Sequence, residues 1–126
     1  GMSGGNSKLI YREDLMSVTV SGDFAIPLAL FVTETLTNSF KHAFPPGGAG
    51  TISLQLYSSG DHLHLVIADD GGGYDDSGES GGLGRRLIRS LAHQVQGELK
   101  IETAPGKGTR IELVFANPDA GEGRAG

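Results

Sequence analysis

The stretch of the chain that decides its fold is residues 27–44, PLALFVTETLTNSFKHAF. Its apolar residues recur every three or four positions, which is the period of an amphipathic α-helix. Asp23 is suited to cap the start of this helix, Pro27 is tolerated in a first turn, and Pro45 and Pro46 would stop it. The sequence therefore predicts a helix over about residues 24–44.

At about 100° per residue, this helix has two contrasting sides. The apolar side is predicted to face the core and consists of Leu28, Val32, Leu36, Phe40 and Ala43. The opposite, polar side carries Glu34, Asn38, Lys41 and His42.

Outward from this helix, alternating apolar residues predict five strands, over residues 15–20, 51–57, 62–68, 98–102 and 109–115. A second helix is predicted over residues 83–95, ended by Gly97, with the core face Leu83, Leu87, Ile88, Leu91 and Val95. This order of elements predicts an α/β (α+β) two-layer sandwich, in which a mixed, mostly antiparallel sheet carries helices on one face.

The 126 residues fit one domain, which we place at residues 9–117 with flexible ends at residues 1–8 and 118–126. The net charge of −5 argues against a nucleic-acid partner and against contact with an anionic membrane surface. The absence of cysteine excludes a disulfide framework, a thiolate zinc site and a thiol nucleophile. No secretory signal is evident, so a cytoplasmic location is expected.

The polar side of the first helix has the chemistry of a metal and phosphate site. Glu34 and Asn38 are i, i+4 neighbours, and the Asn amide oxygen suits Mg²⁺, which takes few protein ligands beside phosphates and water. Lys41 supplies a charge for phosphate, and Glu34 is suited to orient a Mg²⁺-bound water or to accept a proton. A merely solvated helix face is the alternative.

Two glycine-bearing segments extend this pattern. In the segment DDGGG at residues 69–73, the Asp69 carboxylate at a strand end can accept a hydrogen bond from the exocyclic amine of adenine; an ordinary acidic turn is the alternative. Residues 81–84 lead into the second helix, whose N-terminal N–H groups suit phosphate. Arg85 and Arg86 in its first turn are disfavoured by the helix dipole, which indicates an anionic ligand. The alternative is that they are solvated or paired with nearby glutamates.

Four segments in this order resemble the motifs of the GHKL superfamily of ATP-binding domains, which share the Bergerat fold. Residues 34–42 are similar to its N box, Asp69, Gly71 and Gly73 to its D-x-G-x-G box, residues 81–84 to its G2 box, and residues 106–109 to its G3 box. The strings ETLTNSFKHAF and GGLGRRLIRSLAHQVQGELKIETAPGKGTRIELVF most resemble the catalytic domain of bacterial sensor histidine kinases.

The resemblance implies a role for each matching position. Asn38 would ligate Mg²⁺, Asp69 would bond the adenine amine, and Thr109 would support that carboxylate or the ring. Lys41 would contact phosphate, and His42 would lie against the adenine or ribose. The remaining expected contacts to ATP come from Gly71, Gly73, Leu83, Gly84, Arg85 and Arg86, the last two replacing the more usual apolar or small residues.

The expected function is an ATP- and Mg²⁺-dependent histidine kinase catalytic domain, with Glu34 assisting transfer of the γ-phosphoryl group. None of the four histidines has the context of a phosphate acceptor in a helical hairpin. The acceptor would therefore lie on a separate dimerisation domain or chain, and a response regulator would act downstream. An anti-sigma-factor-type serine kinase and a non-catalytic scaffold with a decayed pocket are the alternatives.

Overall fold

The computed structural model describes residues 8–42, 48–72 and 82–116. Its elements, in chain order, are strand β1 Lys8–Leu15, helix α1 Gly22–His42, β2 Ala49–Ser59, β3 His62–Asp69, helix α2 Gly82–Gln94, β4 Glu98–Thr103 and β5 Thr109–Ala116. The predicted ends, residues 1–8 and 118–126, lie outside this description except for the backbone of Lys8.

The five strands form one sheet in the order β1-β2-β3-β5-β4. The β1–β2 pair is parallel and the other three pairs are antiparallel. A parallel pair needs a long crossover, which α1 supplies, whereas β2–β3 and β4–β5 are joined by short turns. The predicted mixed, mostly antiparallel sheet is confirmed.

Both helices pack on the same face of the sheet, where their apolar residues meet alternate residues of the strands. The buried cluster contains Phe31 of α1, Ile88, Leu91, Ala92 and Val95 of α2, and the inward residues Leu54, Leu63, Leu65, Ile67, Ile111, Leu113 and Phe115. The predicted two-layer sandwich is confirmed.

The first predicted strand was wrong. Residues 16–20 contain no strand, and the edge strand is instead Lys8–Leu15, whose sequence KLIYREDL is rich in charge. Only long-range pairing with β2, from Lys8 opposite Ala49 to Leu15 opposite Leu56, defines it. Charged edge strands are a common way to avoid aggregation, so their local hydropathy pattern is weak.

The buried side of α1 also differs from the predicted apolar stripe. The most buried line runs through Pro27, Phe31, Thr35 and Ser39, while Phe40 of the predicted stripe is 44% exposed. At 100° per residue, this line lies one position, or about 100°, from the line of the stripe, towards Asn38. Leu28, Val32 and Leu36 of the stripe are partly buried against the edge of the core. This rotation brings two small polar residues, Thr35 and Ser39, against the sheet.

The C-terminus of α2 shows how the chain turns into β4. Gly97 N–H bonds the Ala92 carbonyl and Gln96 N–H bonds the His93 carbonyl, an arrangement like the Schellman motif. The left-handed residue is Gln96, with φ 56°, and not Gly97 as the sequence suggested. Gly97 allows close packing instead, because a Cβ there would lie 2.6 Å from Leu113 Cδ1.

The core face of α2 differs at one position from the prediction. Leu87, predicted to face the core, is 43% exposed.

Candidate functional site: a carboxylate between α1, β3 and β5

Helix α1 presents its polar residues over its last three turns. Glu34 and Asn38 are both half-buried, and Lys41 is exposed. The backbone of His42 closes the helix, but its side chain lies outside the described part of the structure. Ser39, which follows Asn38, is buried and turned towards the sheet.

Asp69, the last residue of β3, is the point where three segments meet. Ser39 Oγ of α1 donates to Asp69 Oδ2 over 3.1 Å, and the N–H of Gly71 donates to Oδ1 over 3.0 Å. The backbone of Thr109, directly opposite Asp69 in β5, also hydrogen-bonds this carboxylate. A carboxylate has about four acceptor positions, so these three donors leave room for one more N–H from a ligand.

The electrostatics of Asp69 reflect a partly buried acid with good partners. Burial raises the pKa of the Asp69 carboxyl above its usual 3.8, and the charge of Asp70 raises it further, whereas the hydrogen bonds from Gly71, Ser39 and Thr109 oppose this rise. Buried carboxyl groups with raised pKa values are concentrated at functional sites.

The neighbouring Asp70 has a different partner. Its Oδ1 accepts a hydrogen bond from the N–H of Thr51 at 2.8 Å, and its own N–H donates to the Thr51 carbonyl at 3.2 Å. Asp70 therefore fastens the end of β3 to β2 and does not share the donors around Asp69.

The turn between β4 and β5 packs directly on the segment after Asp69. Gly106 N–H donates to the Gly72 carbonyl, and Gly108 lies so close that a Cβ there would be 2.3 Å from the Asp69 carbonyl oxygen. The Thr109 hydroxyl is 2.9 Å from the Thr103 hydroxyl, so Thr109 supports Asp69 through its backbone. Two of the four motifs, at residues 69–73 and 106–109, are thus in contact.

An open cavity of about 510 Å³ adjoins this junction. Asp69 and Thr109 lie in its wall together with the polar side chains of Glu102, Thr103, Lys107 and Arg110. Its walls come from β3, β4, β5 and the turn between the last two strands, and Ser39 is not among the residues that line it.

The structure describes the second glycine motif only in part. Gly73 lies outside the described residues, and helix α2 begins at Gly82, but nothing is described of the side chains of Leu83 and Gly84. Arg85 is buried with 9% exposure, and Arg86 is exposed. Arg85 thus combines two unfavourable features, because it is a buried cation and it lies in the first turn of a helix, where the helix dipole disfavours positive charge.

Sequence reasoning missed Ser39 as a member of the site. Hydropathy marks serine as a surface residue, but Ser39 follows Phe31 and Thr35 at i+4 spacing, and this spacing was the available signal. Each of the two strand histidines lies beside a carboxylate: His62 is 2.8 Å from Asp61, its neighbour in sequence, and His64 is 2.8 Å from Glu112 on β5. Within the described ranges, no three His, Asp or Glu residues are grouped to hold a metal ion.

The chain matches the family described as "Histidine kinase-, DNA gyrase B-, and HSP90-like ATPase" over residues 24–119. It is 32% identical over 113 residues to blue-light-activated histidine kinase 2 of Erythrobacter litoralis, covering 86% of this chain and 32% of that protein. It is 30% identical over 99 residues to the sensor histidine kinase PdtaS of Mycobacterium tuberculosis, covering 75% of this chain and 20% of that protein. The chain thus spans a third or less of these curated relatives.

Solved structures agree with these sequence matches. The histidine kinase domain of the Erythrobacter litoralis blue-light-activated histidine kinase superposes with a TM-score of 0.81 at 27% identity, covering 94% of this chain and 56% of that one. The mycobacterial sensor histidine kinase MprB gives 0.69 at 25% identity, covering 86% and 81%. The family match spans most of the chain and includes α1, Asp69 and the turn at residues 106–109, so the chain belongs to the histidine kinase-, DNA gyrase B- and HSP90-like ATPase family.

Proposed function

We propose that this chain is the ATP-binding catalytic domain of a sensor histidine kinase, which transfers the γ-phosphoryl group of ATP to a histidine on a separate domain or chain. The observation that carries this proposal is the carboxylate of Asp69, held by donors from α1, from the glycine segment and from β5 within this family's fold. The named relatives are histidine kinases, and no observation favours the serine kinase alternative.

At the base end of the nucleotide, Asp69 would accept a hydrogen bond from the exocyclic amine of adenine. Its three donors keep it in the acceptor form, so a base with a carbonyl at that position would be repelled. Gly71 and Gly73 would let the backbone pass close to the base, and His42 would lie against the adenine or ribose.

At the phosphate end, the half-buried Asn38 would hold Mg²⁺ through its amide oxygen, since this ion takes few protein ligands, and the half-buried Glu34 lies one turn earlier on the same helix. When bound, Mg²⁺ would supply positive charge that offsets the charge of the phosphates. Lys41 would contact phosphate as a point charge, and Leu83, Gly84, Arg85 and Arg86 would close over the phosphates from α2.

In the transfer step, an imidazole nitrogen of the acceptor forms a bond to the γ-phosphorus while the bond from that phosphorus to the bridging oxygen breaks, and ADP leaves. Glu34 would orient the acceptor or take the proton that the imidazole loses. Such catalysis depends mostly on positioning and charge neutralisation, so the domain alone should bind ATP and turn over little.

The partners follow from this step. We infer a histidine-bearing dimerisation domain as the immediate acceptor and a response regulator as the later one, with no nucleic acid or membrane contact by this domain. No helix of the described segments is long and apolar enough to cross a membrane. We place the domain in the cytoplasm, where ATP is available.

Calorimetric titration with a non-hydrolysable ATP analogue tests the binding site. Asp69→Ala should weaken binding about ten- to 150-fold, because a charged hydrogen bond contributes roughly 1.5 to 3 kcal/mol. Asp70→Ala is the neighbouring control, since the Asp70 carboxylate accepts a hydrogen bond from Thr51 N–H. The affinity of this variant for the ATP analogue should change less than about twofold. Asn38→Ala should weaken binding more with Mg²⁺ than without it; an equal effect would exclude Asn38 as a ligand.

Labelled ATP tests the reaction. The chain is mixed with a separately produced histidine-bearing helical hairpin domain, and the acid stability of the protein-bound label is measured. Acid-labile, alkali-stable label indicates phosphohistidine. Acid-stable label on a protein substrate would support the serine kinase instead, and failure to bind any adenine nucleotide would support the scaffold.

A further inference from the structure

Ser39 joins the two ends of the proposed nucleotide site. It directly follows Asn38 in α1, and its hydroxyl donates to Asp69 Oδ2 at the end of β3, 30 residues along the chain. Ser39 itself is buried, with 9% exposure, and Asp69 is half-buried, so this contact is partly shielded from water. A hydrogen bond to a carboxylate is charge-assisted, and it is stronger than a hydrogen bond between two neutral groups.

The donors around Asp69 hold its two oxygens from different elements. Gly71 N–H holds Oδ1 from the glycine segment, whereas Ser39 holds Oδ2 from the helix. The terminal torsion of an aspartate is soft, so fixing one oxygen alone leaves the carboxylate plane free to turn. Two anchors on different oxygens define that plane.

Ser39 differs from the other donors because it is a side chain. Among the donors to Asp69 within residues 8–42, 48–72 and 82–116, those of Gly71 and Thr109 belong to the backbone, which any residue at those positions would supply. Ser39 is therefore the donor that a substitution can remove without altering the main chain.

We propose that Ser39 is a positioning residue for base recognition: its hydroxyl fixes the plane of the Asp69 carboxylate, and so sets the preference for a purine that carries a 6-amino group over one that lacks it. This inference rests on the proposed function, because it requires Asp69 to contact the base. Ser39 itself need not touch the nucleotide.

A comparison of two nucleotides separates this role from a general contribution to stability. The full chain with Ser39→Ala is titrated with a non-hydrolysable ATP analogue and with purine riboside triphosphate, which has no 6-amino group. The dissociation constant for the ATP analogue should rise about two- to twelvefold, the range for loss of one hydrogen bond. The dissociation constant for purine riboside triphosphate should stay unchanged.

Thr35→Val is the matched control. Thr35 lies one turn earlier on the same buried side of α1, and its hydroxyl has no hydrogen-bond partner among the described residues. Removing that hydroxyl should leave the affinities for both nucleotides unchanged. If Ser39→Ala does not fold, Ser39→Cys replaces it, since a thiol of similar shape is a weaker donor and should shift the preference in the same direction.

A double-mutant cycle identifies which inference fails. In an Asp69→Asn background, Ser39→Ala should have no further effect on the preference between the two nucleotides, because the two residues act as a pair. Equal weakening of both nucleotides by Ser39→Ala, or no change for either, would overturn the role of Ser39. An Asp69→Asn variant that keeps full preference for the ATP analogue would instead overturn the proposed function at the base end.

Discussion

His64 Nδ1 lies 2.8 Å from Glu112 Oε2, across the face of the sheet away from the helices. The other oxygen of Glu112 accepts from Arg110 at 3.1 Å, and the ring of Tyr57 stacks on His64 with centroids 4.7 Å apart. Glu112 is only 8% exposed. This outer face therefore contains a shielded, fully paired carboxylate that is separate from the candidate site.

Glu112→Gln should lower the free energy of unfolding at pH 7 by about 1–3 kcal/mol, because charge-assisted hydrogen bonds to a buried group are lost. The bond with His64 is the main cause that lowers the pKa of the Glu112 carboxyl below its usual 4.5, against the effect of burial. With a lowered folded pKa, the unfolded chain takes up the proton first, so this stabilisation is present above about pH 4.5 and is lost as pH falls further. Urea denaturation across that pH range measures it.

The control is Glu102→Gln, since Glu102 is well exposed and 4.0 Å from the same arginine. It should change stability by less than about 0.5 kcal/mol at any of these pH values. If the two substitutions change the free energy of unfolding equally, the burial of Glu112 does not strengthen its hydrogen bonds and this prediction is wrong.

Phe31→Ala should cost about 3–5 kcal/mol of unfolding free energy, the usual range for a buried aromatic residue in a core. Phe31 is fully buried at the centre of the cluster, whereas Phe40, on the predicted apolar stripe, is 44% exposed and contacts only the ring of Tyr11 among the aromatic residues described. Phe40→Ala should therefore cost at most about 1 kcal/mol. Chemical denaturation of both variants tests the observed rotation of α1, and the reverse order of effects would contradict it.

Gly108→Ala and Gly106→Ala form a pair that separates strain from contact. Both glycines have nearly the same φ, 77° and 78°, so both substitutions place alanine in the left-handed region. At Gly106 nothing lies within 4 Å of the added Cβ, so the cost should be about 1–2 kcal/mol. At Gly108 the Cβ would collide with the Asp69 carbonyl oxygen, and the turn or the end of β3 must move.

We therefore expect Gly108→Ala to lower the midpoint of thermal unfolding more than Gly106→Ala does. It should also lower the affinity for the ATP analogue. Gly106→Ala should keep most of the affinity. If both variants bind the nucleotide as tightly as the unchanged chain, the contact between the turn and Asp69 does not shape the pocket.

Asp69→Asn should keep or raise the stability of the free domain while weakening nucleotide binding. Because burial raises the pKa of Asp69, the folded state binds its proton more tightly than the unfolded state does, so ionisation of this group at neutral pH works against folding. A permanently neutral amide removes that cost. Urea denaturation at pH 7 with and without the ATP analogue checks both parts, and a clear loss of stability in the free variant would contradict the first.

Much of the fold could be predicted from the sequence because its signals are local. The alternation of Leu63, Leu65 and Ile67 defines β3 regardless of its neighbours, and the helical period and the proline pair define α1. The charged strand β1 could not be placed this way, because only its pairing with β2, across the whole length of α1, identifies it.

The candidate site shows the same division. The residue types of Asn38 and Asp69 suggested their chemistry, whereas the contact between Ser39 and Asp69 depends on how far α1 is rotated about its axis. Hydropathy places a serine outside, and the burial of Thr35 and Ser39 shifts the contact face in a way that apolar residues alone do not reveal. Ser39 and Asp69 are 30 residues apart, and their contact depends on how α1 packs on the sheet, which the hydropathy pattern does not reveal.

The hydrogen bonds between Asp70 and Thr51 carry a consequence for folding errors. Two aspartates in succession point to opposite sides of a strand, so a shift of β3 by one residue against β2 would exchange them and turn the wrong acid towards the helices. Asp70 bonds the backbone of Thr51 in the observed alignment, in which Asp69 lies opposite Ile52. These two bonds therefore add to the stability of the register that presents Asp69 to Ser39.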